Sequence, residues 1–125
     1  MSILRQLLGK SGEEMAATEL KRKGYKIHAR NWRCQYGEID IIAEKDNCIA
    51  IVEVKTRSSE IFGPPTSAVN RRKQGQITRA TECWLQENHV ETNLRFDVIT
   101  IIQQRGCKPL LEHFENAFDC TGFGL

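Results

Sequence analysis

The sequence predicts an α/β fold with four strands and two helices. Runs rich in Ile and Val on either side of a polar turn, at residues 37–57, predict a β-hairpin. Apolar residues spaced by three and four, at residues 11–23 and 68–88, predict two helices. Alternating apolar residues predict further strands at residues 25–33 and 95–102. With the hairpin, the first of these strands forms a three-strand antiparallel meander.

Length and composition are those of one globular domain. The chain has 125 residues, of which 40% are hydrophobic and 27% charged, so it can bury a core without disulfides or metals. We expect a single domain over residues 1–125, with a core at about 9–102 and a C-terminal extension at 103–125. The formal net charge of +2 is too small to indicate nucleic-acid binding by itself.

The cysteines and histidines do not form a recognisable site pattern. The five cysteines are widely spaced and lack any C-x-x-C pair, which argues against a disulfide framework and a zinc site. The three histidines are isolated, and we assign them no role. No apolar run approaches the roughly 18 residues of a membrane span. We therefore expect a cytoplasmic protein with reduced thiols and no membrane partner.

The first helix is expected to begin near residue 11 and to run to about Lys23, where Gly24 ends it. Ser11 and Glu14 have the spacing of a capping box. Glu13 falls on the apolar face of this helix. It is either a first-turn acid favoured by the helix dipole or a functional carboxylate.

The hairpin has a definite expected register. A turn centred between Asp46 and Asn47 places Asp40 opposite Glu53, and Glu38 opposite Lys55. Because strand side chains alternate, these four ionisable groups share one face. Ile42 and Ile51 continue that face, whereas the opposite face carries Ile39, Ile41, Val52 and Val54.

The opposed acids Asp40 and Glu53 need compensation. Directly opposed side chains have Cβ atoms about 5 Å apart, and like charges so placed destabilise a sheet. A protonated carboxyl, the nearby Lys55, or a divalent cation such as Mg²⁺ or Mn²⁺ could compensate. Exposed charges on a surface hairpin are the common alternative. The flanking isoleucines favour a position at the border of the core.

The second helix carries an unusual charge pattern. Residues 68–88 have an apolar stripe, but Arg71, Arg72 and Lys73 occupy the first turns, where acids are normally favoured. This basic run is either a solvated face or a ligand for an anion. The preceding residues 58–67 read as a loop, either a plain connection or a substrate clamp.

Glu13, Asp40, Glu53 and Lys55 together spell a pattern that resembles the PD-(D/E)xK nuclease superfamily, and within it the bacterial YraN family. The resemblance covers about Gly9 to Ile101. It departs from the superfamily pattern at Ile39, where proline is frequent. The matching residues are Gly12-Glu13, Gly24-Tyr25, Arg30-Asn31, Gly37-Glu38-Ile39-Asp40, Val52-Glu53-Val54-Lys55-Thr56-Arg57, Phe62-Gly63-Pro64, Lys73 and Arg95-Phe96-Asp97-Val98.

This resemblance implies a restriction-endonuclease-like core, similar to that of archaeal Holliday junction resolvases, with a mixed sheet flanked by helices. It implies Mg²⁺-assisted phosphodiester hydrolysis, with Mn²⁺ as a substitute. Asp40, Glu53 and the Val54 carbonyl are then the expected metal ligands. Lys55 would orient the nucleophilic water or stabilise the transition state. Glu13 would be an additional ligand or would support a second metal.

Other residues receive supporting roles. Glu38 would orient Lys55 or pair with it, and Lys73 would act at the mouth of the site. Contacts to the phosphate backbone of DNA are expected from the basic residues Arg57, Arg71, Arg72, Lys73 and Arg79.

Three functions remain open on the sequence. The leading hypothesis is a Mg²⁺-dependent endonuclease acting on branched or junction DNA. The main alternative is a DNA-binding or assembly module that keeps a nuclease-like fold without hydrolysis. The third is a structural protein whose acids are ion-paired. Junction cleavage would call for a homodimer, and the aromatic residues Phe114, Phe118 and Phe123 could supply its interface or complete the core.

Overall fold

The computed structural model of the chain describes residues 3–58, 69–104 and 106–119, and for residues 3–10 the backbone alone. Most of the predicted 58–67 loop, and Phe123, therefore lie outside the described residues. The elements are α1 (Ile3–Arg22), β1 (Lys26–Cys34), β2 (Gly37–Lys45), β3 (Cys48–Arg57), α2 (Arg71–Asn88), β4 (Asn93–Ile102) and β5 (Leu110–Phe118). The predicted α/β class is confirmed.

The strands form one mixed five-stranded sheet in the order β1-β2-β3-β4-β5. β3 and β4 are parallel, with α2 in the connection between them, while the other neighbouring strands are antiparallel. This arrangement agrees with a restriction-endonuclease-like core. The C-terminal extension at 103–125 contains a fifth strand, β5, which was not predicted from the sequence and which includes Ala117 and Phe118. The Phe118 ring stacks on Phe96 with centroids 5.0 Å apart, which gives this strand its apolar contact.

Both faces of the sheet are buried, each beneath one helix. The cluster beneath α1 contains Ala16, Ala17, Leu20, Tyr25, Ile41, Ala43, Ala50, Val52, Ile99 and Ile101. The cluster beneath α2 contains Ile39, Ile42, Ile49, Ile51, Val69, Ile77, Ala80, Trp84, Phe96 and Val98. Alternate residues of β3 and β4 enter opposite clusters, as the period of two requires.

α1 begins earlier than predicted. It starts at Ile3, so Ser11 lies inside the helix and the predicted capping box is wrong. The preceding residues are mostly good helix formers, which explains the extension. The predicted end is confirmed: the Gly24 N–H donates to Lys21 O at 3.0 Å and the Tyr25 N–H to Leu20 O at 2.9 Å. Gly24 has φ +95°, which completes this left-handed helix cap.

Gly12 lets α1 approach the sheet closely. A Cβ added at Gly12 would fall well inside contact distance of the Thr56 Oγ1 on β3, so a larger residue would push the helix away. The adjacent residue is Glu13. The absence of a side chain at position 12 therefore helps to bring the Glu13 carboxylate to the sheet.

α2 begins at Arg71 rather than at the predicted residue 68. The Asn70 side chain accepts a hydrogen bond from the Lys73 backbone N–H at 2.9 Å, an N-cap that Asn provides well. The predicted apolar stripe is confirmed, since Ile77 and Trp84 are buried beneath this helix.

The helices and cysteines of the described chain bear on the expectations about membrane spans and thiols. Neither of its helices has the length and apolar content that crossing a bilayer demands. Its cysteines are free thiols at positions Cys34, Cys48, Cys83 and Cys107, whereas Cys120 lies outside the described residues.

Candidate functional site

The predicted hairpin register is confirmed from the turn up to Ile41. The paired residues run from Lys45 and Cys48 at the turn to Ile41 and Val52, with numbers that add to 93. Asp46 and Asn47 form the two-residue turn with φ of 52° and 60°, the left-handed conformation that tight hairpins need.

Pairing between β2 and β3 changes at Asp40. Its side-chain Oδ2 accepts the Val54 backbone N–H at 2.8 Å, so a carboxylate takes a position that a ladder carbonyl would otherwise occupy. Beyond this point β2 continues beside β1, where Glu38 pairs with Arg33 and Ile39 with Trp32. Within the described sheet, the predicted opposition of Glu38 and Lys55 is therefore wrong.

Ile39 also lies on a different face from the one predicted. It packs in the cluster beneath α2, together with Ile42, instead of sharing the α1 side with Ile41. The prediction assumed a continuous β2–β3 ladder. Because that ladder ends at Asp40, simple alternation no longer governs the residues that precede it.

Asp40 and Glu53 form a contacting acid pair at this opening in the hairpin. Burial, the charge of Glu53 and a hydrogen bond between the two carboxyl groups raise the pKa of Asp40 to about 7, from 3.8. The Glu53 side chain is only 7% exposed. At neutral pH the pair therefore shares a proton in a substantial fraction of molecules, because both carboxylates cannot readily ionise side by side.

Lys73 supplies an ion pair to Glu53; the sequence offered Lys55 as the cation that could compensate the acids, beside a protonated carboxyl and a divalent cation. The Lys73 Nζ lies 2.9 Å from Glu53 Oε1. Although burial disfavours its charge, the hydrogen bond and attraction from Glu53 raise the pKa of Lys73, so it stays cationic. Lys55 lies two residues beyond Glu53 on β3, partly buried and paired in register with Thr100 on β4.

An open cleft of about 160 Å³ adjoins the acid pair, with room for several water molecules. Among the described residues, the cleft is lined by Glu38, Asp40, Glu53, Lys73, Gln76 and Ile77. Lys55 and Glu13 do not line it. Gln76 was not singled out from the sequence, because an exposed helical Gln gives no signal before the helix is placed against the hairpin.

Glu13 reaches the same end of the sheet from α1. Burial raises its pKa, a hydrogen bond with Asn31 opposes that change, and the charges of Asp40 and Glu38 raise the pKa further. The neighbouring Glu14 binds Arg30 at 2.8 Å, which fixes the helix against β1. Glu13 therefore lies near enough to the acids to feel their charge.

The predicted DNA-contacting cations are distributed along α2 and β3. Arg71 and Arg72 are exposed in the first turn of α2, beside Lys73, and Arg57 is partly buried at the end of β3. Arg79 is exposed almost two turns further along α2, in a separate groove. Three of these residues thus lie together at the start of α2, and Arg79 does not.

A buried polar network on the other face of the sheet was missed. Asp97 is fully buried and accepts two hydrogen bonds from Arg95 at 2.8 Å, one from His113 at 2.7 Å and one from the Asn116 N–H at 3.0 Å. Although burial opposes ionisation, these donors lower the pKa of Asp97. Lys23 lies 3.1 Å from His113, which ties α1 to β5. The position of Asp97 among the apolar residues of a predicted strand was the sign of this network in the sequence.

The donor set of the acid pair suits one class of metal. Within the described part of the chain, no three His, Cys, Asp or Glu side chains lie close enough together to hold a metal ion between them. Mg²⁺ and Mn²⁺ are commonly held by one or two carboxylates completed by water and substrate oxygens, and Asp40 with Glu53 meets that requirement. Burial is the largest cause of the raised pKa of Asp40 and the charge of Glu53 adds to it, so a cation bound here would favour the ionised form.

The mixed sheet, its flanking helices and the acid pair at the end of the hairpin define a restriction-endonuclease-like α/β protein. Within that class, the chain belongs to the uncharacterised protein family UPF0102, which matches residues 12–101, and the predicted YraN-family membership is confirmed.

Relatives from several bacteria agree with this membership. A UPF0102 protein of Trichlorobacter lovleyi is 47% identical over 116 residues, covering 91% of both chains. One from Geobacter metallireducens is 47% identical over 120 residues, covering 95% of this chain and 98% of its own. One from Nocardia farcinica is 43% identical over 115 residues, covering 91% of both chains.

Proposed function

We propose that this protein is a Mg²⁺-dependent endonuclease that hydrolyses phosphodiester bonds in DNA, with branched or junction DNA as the substrate class. The observation that carries the proposal is the contacting Asp40–Glu53 pair beside an open cleft, with the pKa of Asp40 raised to about 7. Purely structural carboxylates are normally paired so that their pKa falls. A carboxyl pair whose burial and close contact raise a pKa and oppose ionisation is typical of functional sites.

Asp40 and Glu53 would hold the cation, with the Val54 carbonyl as a further oxygen ligand and Glu13 as an additional or second-metal ligand. Bound at that place, Mg²⁺ or Mn²⁺ lowers the pKa of water and neutralises charge that develops on a phosphate. The Asp40 carboxylate is already oriented, because the Val54 N–H donates to its Oδ2 at 2.8 Å.

Lys73 is the described cation best placed to act on a phosphate in the cleft. It is 41% exposed and contacts Glu53 at 2.9 Å, so its ammonium group can reach both the acid and a phosphate oxygen. A cation fixed there stabilises the extra negative charge of the transition state. Lys55 would contribute from β3 to the same end, and Glu38 would position a cationic partner from the rim of the cleft.

The basic side chains near the cleft would bind the DNA backbone. Arg71 and Arg72 lie on the first turn of α2, which also carries Lys73, and Arg57 ends β3, the strand that carries Glu53. Such contacts supply affinity and orientation without reading sequence. Symmetric cleavage of a four-way junction would additionally require two copies related by a two-fold axis.

One observation favours the alternative of a DNA-binding or assembly module without hydrolysis. The Lys73–Glu53 ion pair compensates half of the acid pair without any metal. Calorimetry with Mn²⁺ separates the two readings. Binding that disappears in Asp40→Asn supports the endonuclease, whereas no heat at millimolar metal supports the module.

The direct test is a cleavage assay on labelled duplex, flap and four-way-junction DNA with Mg²⁺ or Mn²⁺. We expect cutting by the wild type and its loss in Asp40→Asn, Glu53→Gln and Lys55→Ala. Glu112→Gln removes an exposed acid on β5, away from the cleft, and should cut normally. Circular dichroism establishes that each variant is folded. Intact DNA of every shape with the wild type would refute the hydrolytic proposal.

A further inference from the structure

A second concave surface lies along α2, next to the cleft. We call it the Tyr36 groove; its lining residues are Tyr36, Arg79, Glu82, Cys83 and Gln86, and its volume is about 390 Å³. Tyr36 is 40% exposed, and only Leu110 is a comparably exposed large hydrophobic side chain among the described residues. The groove therefore combines an accessible aromatic ring with charged and polar side chains.

The Tyr36 groove adjoins the cleft through the start of β2. Gly37 has φ +152°, and a Cβ built there would lie 3.5 Å from the Cβ of Gln76, so this turn packs directly on α2. Gln76 lines the cleft, and Tyr36 precedes Gly37 in the chain. The two depressions are therefore consecutive along one face of α2.

Their separation matches a short stretch of nucleic acid. Gln76, in the cleft, and Arg79, in the groove, are three residues apart on α2, which is about 4.5 Å along a helix axis and about 60° around it. A stacked strand advances about 3.4 Å per nucleotide, so this distance corresponds to about one or two nucleotides. A strand with one phosphate in the cleft beside Gln76 can place the next one or two phosphates at Arg79.

We propose that the Tyr36 groove binds an unpaired nucleobase of the DNA strand whose phosphate occupies the cleft. The base stacks on the Tyr36 ring, and the Arg79 guanidinium binds the adjoining phosphate. A base inside a duplex is already stacked and paired, so only a strand with an unpaired nucleotide fills the groove. This inference rests on the proposed function and narrows its substrate to DNA with single-stranded character beside the cleft.

The remaining lining residues give the groove a direction and a base preference. The Glu82 carboxylate repels phosphate, which keeps the backbone at the Arg79 end and leaves Glu82 and Gln86 to meet the base edge. A carboxylate accepts hydrogen bonds from the exocyclic amino groups of cytosine and adenine. Thymine offers only its N3–H, which lies between two carbonyl oxygens that a carboxylate repels. Oligonucleotides of dC should therefore bind more tightly than those of dT.

Fluorescence anisotropy with labelled single strands and a matched duplex, in EDTA so that nothing is cut, tests the proposal. Loss of base stacking in Tyr36→Ala should weaken single-strand binding by about tenfold, while Tyr36→Phe keeps the ring and should bind like wild type. Arg79→Ala should reduce the slope of log affinity against log salt by about 0.7, the value for one phosphate contact on a single strand. Arg22→Ala, which removes an exposed arginine from α1 across the sheet, should change neither quantity.

Equal single-strand binding by Tyr36→Ala and wild type would overturn the proposal, as would a wild type that binds no DNA. Equal weakening of single-strand and duplex binding would overturn it too, because stacking of an unpaired base could not then be the cause. Cleavage reports separately on the proposed function. If single-strand binding depends on Tyr36 but the wild type does not cut DNA in Mg²⁺, hydrolysis is refuted and base binding in the Tyr36 groove is supported. If the wild type and Tyr36→Ala cut DNA equally well, hydrolysis is supported and base binding in the groove is refuted.

Discussion

Replacing Asp40 by Asn should make the metal-free protein more stable at neutral and alkaline pH. Asp40 contacts Glu53 in a mostly buried setting, and its pKa is about 7 in the folded protein, compared with 3.8 for an unperturbed carboxyl. Asn keeps a side-chain oxygen to accept the Val54 N–H. It also offers an N–H to Glu53, so it imitates the protonated acid permanently.

The sign follows from proton binding. Between about pH 4 and pH 7 the folded protein holds a proton on Asp40 that the unfolded chain has released, so stability falls as pH rises through this interval and then levels off. A pKa of about 7 in place of 3.8 corresponds to at most ~4 kcal/mol at 1.36 kcal/mol per pH unit. Screening by solvent reduces this, and we expect about 2 kcal/mol above pH 7.

Urea unfolding in EDTA at pH 4.5 and pH 8 measures the effect. The stability of Asp40→Asn minus that of wild type should be small at pH 4.5 and reach about 2 kcal/mol at pH 8. Taking the difference between the two proteins cancels the titration of groups that they share. Glu112→Gln serves as the control and should show no such pH dependence. A variant that is less stable than wild type at pH 8 would refute the reasoning and indicate that Asp40 forms a stabilising ion pair.

Three further predictions concern the same framework. Binding of Mn²⁺ at pH 6 should release about one proton, so the calorimetric heat should depend on the ionisation heat of the buffer. This release should vanish by pH 8.5, since Asp40 is then already ionised. Identical heats in all buffers at pH 6 would contradict the prediction. Gly12→Ala should lower the free energy of unfolding in urea by about 1–3 kcal/mol, because the added Cβ meets the Thr56 side chain. Adding Thr56→Ala to this variant should restore part of the lost stability; no recovery in the double variant would show that this contact is not the cause. Asp97→Asn should cost about 3–5 kcal/mol, because Arg95 and His113 lose a buried anion; a thermal midpoint equal to that of wild type would show that the network carries little stability.

The hairpin could be derived from the sequence because its determinants are local. Asp46 and Asn47 accept the left-handed conformation of a two-residue turn, and with a period of two every pairing up to Ile41 and Val52 then follows. The same rule failed one residue further. Whether a side chain such as Asp40 replaces a ladder carbonyl depends on atoms from two strands, and no pattern along a single strand records it.

The cationic partner of Glu53 could not be derived from sequence for a related reason. Spacing along β3 offered Lys55 as one of three ways to compensate the acids, since it is two residues from Glu53 on the same face. The contact is made instead by Lys73, from a helix whose placement depends on the whole crossover between β3 and β4. Likewise, His113 looked isolated because its partner Asp97 lies on a neighbouring strand. Long-range pairing is fixed by packing, which a one-dimensional period does not contain.

The start of α2 shows how a local rule was set aside for the site. Cations near a helix N-terminus oppose the macrodipole, at roughly 0.3–1 kcal/mol each, yet Arg71, Arg72 and Lys73 stand there together. The Asn70 side chain caps the backbone N–H of Lys73, and this cap leaves the Lys73 side chain available for another partner. That side chain reaches Glu53 at 2.9 Å, and the attraction offsets part of the unfavourable dipole interaction. Lys73 offsets only one of the two charges of a fully ionised Asp40–Glu53 pair, so the negative charge that remains would favour a bound cation at this end over a closed internal ion pair.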